Sequence, residues 1–166
     1  MKKNLIYSVV ALTVLSSTVN AGDLHVGVAQ ADIFHKSTQA VNIGYGGHTI
    51  SDNGVYFGIS IDFQGGTLPA SSEANTTTET TYLGMSGDLQ LGYAPTQNLR
   101  IYALGTALTQ AINSISGAGF GYGGGVEYQV SKSFATAVEY KKYNMSLNGL
   151  QNYDYSTVGL NLKYTW

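Results

Sequence analysis

The chain has 166 residues with no cysteine, two prolines and 21 glycines, and a formal charge of −2 at pH 7. Only 11% of its residues are charged, under half the ~25% of an average soluble domain, while 43% are hydrophobic. The mild acidic balance gives no support for nucleic-acid binding, which needs a basic face, and the absence of cysteine excludes a disulfide framework.

In chain order, the first segment reads as a targeting signal. Lys2 and Lys3 form a positive start, Leu5 to Leu15 an apolar core, and Val19-Asn20-Ala21 a small-residue cleavage pattern. The apolar run is too short for a transmembrane helix of ~20 residues. A short buried helix is the alternative. Residues 1–21 are therefore expected to be a cleaved signal peptide and 22–166 a single mature domain. No later run reaches transmembrane-helix length, so the exported chain is periplasmic, secreted or a membrane barrel.

Period-two alternation dominates the rest and predicts eight strands near 24–33, 40–50, 54–64, 81–93, 99–109, 119–130, 134–145 and 153–166. In the first, Leu24, Val26 and Val28 are out of phase with Ala29, Ala31 and Ile33, which predicts a bulge or a shifted boundary. The third sets Val55, Phe57, Ile59, Ile61 and Phe63 against polar or small neighbours including Asp62, and the fourth sets Leu83, Met85, Leu89 and Leu91 against Ser86, Asp88 and Gln90. In the fifth, both phases are apolar. An internal repeat, Leu91-Gly92-Tyr93 before Leu99 against Val126-Glu127-Tyr128 before Phe134, points Leu99 to lipid and Arg100 inward. The last three strands alternate again, with Glu127, Glu139, Lys141 and Lys163 on the polar phase. Such runs match the length of a tilted strand crossing a bilayer.

Short turn signals at 51–54, 95–98 and 131–133 alternate with longer polar stretches near 65–80, 111–117 and 146–152. Short turns at one rim and longer loops at the other are the pattern of an outer-membrane barrel, and an even strand number puts both ends on the periplasmic side. Tyr93, Tyr128, Phe134, Tyr164 and Trp166 lie near the short-turn ends, and Phe34, Phe63, Tyr82, Phe120 and Tyr140 near the long-loop ends. Two such bands suit aromatic girdles. A secreted β-sandwich also alternates but has no need to segregate its aromatics.

The segment from Tyr155 to Trp166 resembles the terminal strand of bacterial outer-membrane barrels, with Leu160, Leu162, Tyr164 and Trp166 at the matching apolar and aromatic positions. Residues 121–140, a glycine-rich strand closing in Glu127-Tyr128, a short turn and a strand closing in Glu139-Tyr140, resemble the penultimate hairpin of the OmpA/OmpX-like eight-stranded family. The resemblance implies an all-β, eight-stranded antiparallel up-and-down transmembrane β-barrel in the outer membrane of a Gram-negative bacterium. It also implies that the barrel-insertion machinery reads the four terminal positions. No peptidoglycan-binding domain follows Trp166, so anchoring to the cell wall is not implied. The family hosts anchors, adhesins and small channels, so fold alone does not decide among them.

An eight-stranded barrel is just wide enough for side chains to fill. The expected inward polar set is Asp62, Asp88, Arg100, Glu127, Glu139, Lys141 and Lys163, read as a satisfied core or, where Gly121, Gly123 and Gly125 leave space, as a narrow ion path. His25, His35 and His48 have no metal-ligand spacing and no locally evident acid or serine partner, and His35 reads as a solvated loop residue. No cofactor, metal site or catalysis is expected. Lys142 is expected to reach lipid headgroup phosphates, and the 65–80 stretch to be a mobile surface loop. The expected function is structural or surface-interacting, adhesin-like, with outer-membrane lipid and lipopolysaccharide as partners and a surface ligand of unspecified identity. A small passive channel and a lipid-modifying enzyme are the alternatives.

Overall fold

A computed structural model describes residues 21–69, 79–112, 115–147 and 152–166; the expected signal segment lies outside them except for Ala21. Eight antiparallel strands, β1 (Ala21–Ile33), β2 (Lys36–Ile50), β3 (Val55–Leu68), β4 (Thr80–Tyr93), β5 (Leu99–Ile112), β6 (Ile115–Gln129), β7 (Phe134–Leu147) and β8 (Tyr153–Thr165), close into one barrel in sequence order. β1 pairs β8 from Asp23↔Thr165 to Ile33↔Tyr155, so no strand edge is left open.

At the end holding both termini, the turns are polar and locally bonded. Gly54 takes φ +84° and donates from its N–H to the Ser51 carbonyl at 2.8 Å, while the Thr96 hydroxyl accepts from Leu99 N–H at 3.1 Å. The opposite end differs from the sequence expectation. The β1–β2 connection is only Phe34-His35, both left-handed at φ 51° and 58°, giving a two-residue hairpin turn. The other strands also run further than predicted, to Leu68, Ile112 and Leu147, and most of the expected second loop (70–78) lies outside the described residues.

β1 contains no bulge: its register with β2 is unbroken from Ala21↔His48 to Ile33↔Lys36. The phase change in its hydrophobicity is instead a change of surroundings. Leu24, Val26 and Val28 face outward and are exposed, whereas further along Gln30 and Asp32 face outward and Ala31 and Ile33 are fully buried inside. The same inversion recurs on β7 and β8, where Lys142, Asn144, Asp154 and Ser156 face outward past Tyr140 and Val158, over buried Tyr143, Met145 and Tyr155. Below that level the wall is apolar outside and polar inside, as lipid demands; above it the pattern is that of a water-soluble protein.

An apolar plug built from Ile33, Phe34, Leu68, Tyr82, Leu108, Ile112, Tyr143, Met145, Tyr153 and Tyr155 fills this outer end. Two of the aromatics assigned to the outer girdle therefore point inward. Tyr82 is fully buried, and Phe34 stacks on Tyr153 with centroids 4.3 Å apart. Phe63, Phe120 and Tyr140 remain on the lipid side, as do Tyr93, Tyr128, Phe134, Tyr164 and Trp166 at the terminal end.

Candidate functional site

Below the plug, alternation delivers the polar phase of every strand into one narrow interior, where charges must pair because water cannot screen them. The seven residues singled out from the sequence, Asp62, Asp88, Arg100, Glu127, Glu139, Lys141 and Lys163, are all buried there. They form two clusters. Toward the terminal end, Glu127 accepts from Arg100 through one oxygen and from Lys163 Nζ at 2.9 Å through the other, and Arg100 also donates to Gln129 Oε1 at 2.8 Å. Nearer the middle, Lys141 Nζ stands 2.5 Å from Asp88, 3.3 Å from Glu139 and 3.6 Å from Asp62. Tyr102 bridges the two: its hydroxyl donates to Glu139 Oε1 at 2.6 Å while its ring lies 5.9 Å from Lys163 Nζ.

Sequence reasoning missed part of the network. Asp23 and His25, two apart on β1 and hence on one face, are both buried. His25 Nδ1 lies 3.0 Å from Asp23 Oδ1 and Nε2 lies 2.5 Å from Asp62 Oδ1, so this histidine has two acid partners, one of them 37 residues away. His48 on β2 faces Asp23 at 3.9 Å. Uncharged members also went unnoticed: the Tyr56 hydroxyl donates to Gln90 Oε1 at 2.7 Å, and Asn42 donates to Asn161 Oδ1 at 2.9 Å. The i, i+2 spacing of Asp23 and His25 is a signal that was present; the partnership with Asp62 requires the register.

The glycines of β6 leave no free wall. A Cβ on Gly125 would lie 2.6 Å from the Tyr102 ring, and one on Gly121 2.8 Å from the Tyr143 ring, so tyrosines from β5 and β7 occupy the space. What remains near the mid-level is a cavity of about 30 Å³ beside Asn42, Asp62, Gln64, Lys141 and Asn161. That is room for bound water among polar groups able to hold it. On the outer surface the Lys142 Nζ pairs with Asp154 Oδ2 at 3.1 Å. Chemically the site can hold charge and protons. The Ser60 hydroxyl donates to Asp62 Oδ2 at 3.3 Å and is buried with it. Among the described residues no His/Cys/Asp/Glu group has the arrangement of a metal site.

The family model described as outer membrane protein beta-barrel domain matches residues 7–165. Among solved structures, the neisserial surface protein A, NspA, superposes with a TM-score of 0.58 at 13% identity, over 87% of this chain and 95% of that one. The attachment invasion locus protein Ail of Yersinia pestis, in complex with the heparin analogue sucrose octasulfate, gives 0.57 at 15% identity over 88% and 98%. The N-terminal β-barrel domain of Pseudomonas aeruginosa OprF gives 0.54 at 10% identity over 89% and 98%. No curated protein matches the sequence.

Proposed function

Because the chain belongs to the outer membrane protein β-barrel domain family, we propose that this member is a structural and surface-interacting protein, a rigid anchor whose outer rim and loops meet the exterior. The observation that carries this reading is the filled interior. Among the described residues, a charge network at mid-level and an apolar plug above it fill the lumen around a cavity of about 30 Å³, an arrangement that favours neither a solute path nor a reaction chamber. Function then falls to the outside. Residues 1–21 act as the cleaved export signal, the barrel-insertion machinery reads Leu160, Leu162, Tyr164 and Trp166, and lipid and lipopolysaccharide surround the belt.

Ail is seen with a sulfated polyanion. Here the described outer rim carries exposed Asp32, Glu79 and Asp154 against Lys36 and Lys142, and the latter is already paired with Asp154. That balance favours a neutral or weakly charged surface ligand over a polyanion. Planar-bilayer recording of the folded barrel tests the anchor reading. Silence is expected, and discrete steps that change on neutralising Glu139 or Lys141 would refute it in favour of the channel. A catalytic role would show as an altered host lipid profile lost on replacing His25, His35 or His48; no such loss is expected.

A further inference from the structure

His25, Gly44 and Asp62 share one row of the sheet: His25 pairs Gly44, and Gly44 pairs Asp62. Gly44 lacks the Cβ that would fall 2.6 Å from Asp62 Oδ1, so β2 allows the β1 imidazole to reach the β3 carboxylate directly across it. Both ring nitrogens of His25 thereby meet carboxylate oxygens, Asp23 at 3.0 Å and Asp62 at 2.5 Å. A neutral imidazole has one N–H and one bare nitrogen. In that form one of the two contacts would set a lone pair against a carboxylate oxygen in a dry interior, where an unfavourable contact is strongly felt. One additional proton makes both contacts donor to acceptor.

The surrounding charges place that proton on the ring. Asp62 also faces the Lys141 ammonium of β7 at 3.6 Å, and Asp23 faces His48 of β2 at 3.9 Å. Lys163 of β8 is opposite His25 in the ladder, but its ammonium is held by Glu127 at 2.9 Å. Asp88 of β4 and Glu139 of β7 lie beyond Lys141. Among the described residues the interior holds five carboxylates, Asp23, Asp62, Asp88, Glu127 and Glu139, against three fixed cations, Arg100, Lys141 and Lys163. Of that excess of two negative charges, an imidazolium at His25, between Asp23 and Asp62, offsets one.

We propose that His25 is a buried proton-binding site, held as an imidazolium between Asp23 and Asp62, and that this proton pins β1 to β3 across Gly44. Loss of the proton releases the pin at the cavity wall, which makes the barrel interior responsive to alkaline pH. The adhesin-like reading does not depend on it.

The test is nitrogen NMR of histidine side chains in the folded barrel in micelles at pH 8, well above the ordinary imidazole value of about 6.5. Both nitrogens of His25 are expected to carry hydrogen. A bare nitrogen on His25 at pH 8 overturns the proposal. In D62N the asparagine amide can donate to Nε2, so His25 should revert to the one-hydrogen form; retention of both hydrogens would remove Asp62 from the site. Because the unfolded imidazole is mostly neutral at this pH, folding takes up a proton and stability falls as pH rises further, by up to about tenfold in the folding equilibrium per pH unit. H25Q should flatten that slope, and an unchanged slope in a folded H25Q barrel would also overturn the proposal.

Discussion

Lys141→Met removes one ammonium and keeps most of the side-chain volume, which makes it the sharpest probe of the interior. In the native barrel that nitrogen serves Asp88 at 2.5 Å, Glu139 at 3.3 Å and Asp62 at 3.6 Å. Tyr102 and Asn161 still donate to Glu139, and His25 to Asp62, but one Asp88 oxygen keeps no hydrogen-bond partner even in the native protein. Breaking a buried pair by removing one member costs about 3–5 kcal/mol, against about 0–1 kcal/mol for an exposed pair. The larger value applies, since every partner is buried. It corresponds to a fall of roughly two to three and a half decades in the folding equilibrium at about 1.4 kcal/mol per decade. Urea titration of the folded barrel in micelles, read by the mobility difference between unboiled and boiled samples, measures it. Asp88→Asn in the K141M background should recover part of the loss, with a coupling of about 0.5–3 kcal/mol. A K141M cost below about 1 kcal/mol, or strict additivity with D88N, would refute the view that these charges are desolvated and mutually dependent.

Three further outcomes are expected from the same titration. Met145→Ala hollows the outer plug at a fully buried position and should cost about 2–5 kcal/mol, without opening a conductance, because the charge network below remains. Gly125→Ala inserts a carbon 2.6 Å from the Tyr102 ring and should cost about 1–3 kcal/mol through overpacking; a neutral result would show that the tyrosine can swing away. His35→Gly relieves a left-handed residue at φ 58°, a strain of about 1–2 kcal/mol, offset by glycine's greater unfolded freedom of about 0.5–1 kcal/mol. A net gain of about 0.5–1 kcal/mol is expected there.

The strands were legible because lipid outside and polar side chains inside impose one parity on residues 55–63, 83–93, 126–130, 134–140 and 158–166. The repeat around Leu91 and Val126 carried the same parity into β5, where Arg100 is buried and Ile101 exposed. What was misread lies where that rule reverses. Ala31 and Ile33 resemble lipid-facing residues and Gln30 and Asp32 lumen residues, but past the hydrocarbon edge water replaces lipid outside and the interior becomes apolar. Tyr82 shares parity with Ser86 and Asp88 and could have been placed inside on that ground; its aromatic ring near a strand end masked the signal. Phe34 sits in a turn, where parity says nothing. The His25–Asp62 contact was beyond reach for a different reason, since it spans a third strand and depends on the register that brings Gly44 between them.

The reversal of polarity along each strand also sets how far the barrel stands above its membrane. From Val28, the last lipid-facing residue of β1, to Ile33, five steps of ~3.4 Å each at a tilt of ~40° lift the wall by about 13 Å. Because that raised section has its own apolar filling, it is a stiff pedestal and not a frayed rim. The Phe34-His35 turn and the strand ends beside it are therefore presented clear of the headgroup layer, at a height set by the wall and not by the lipid.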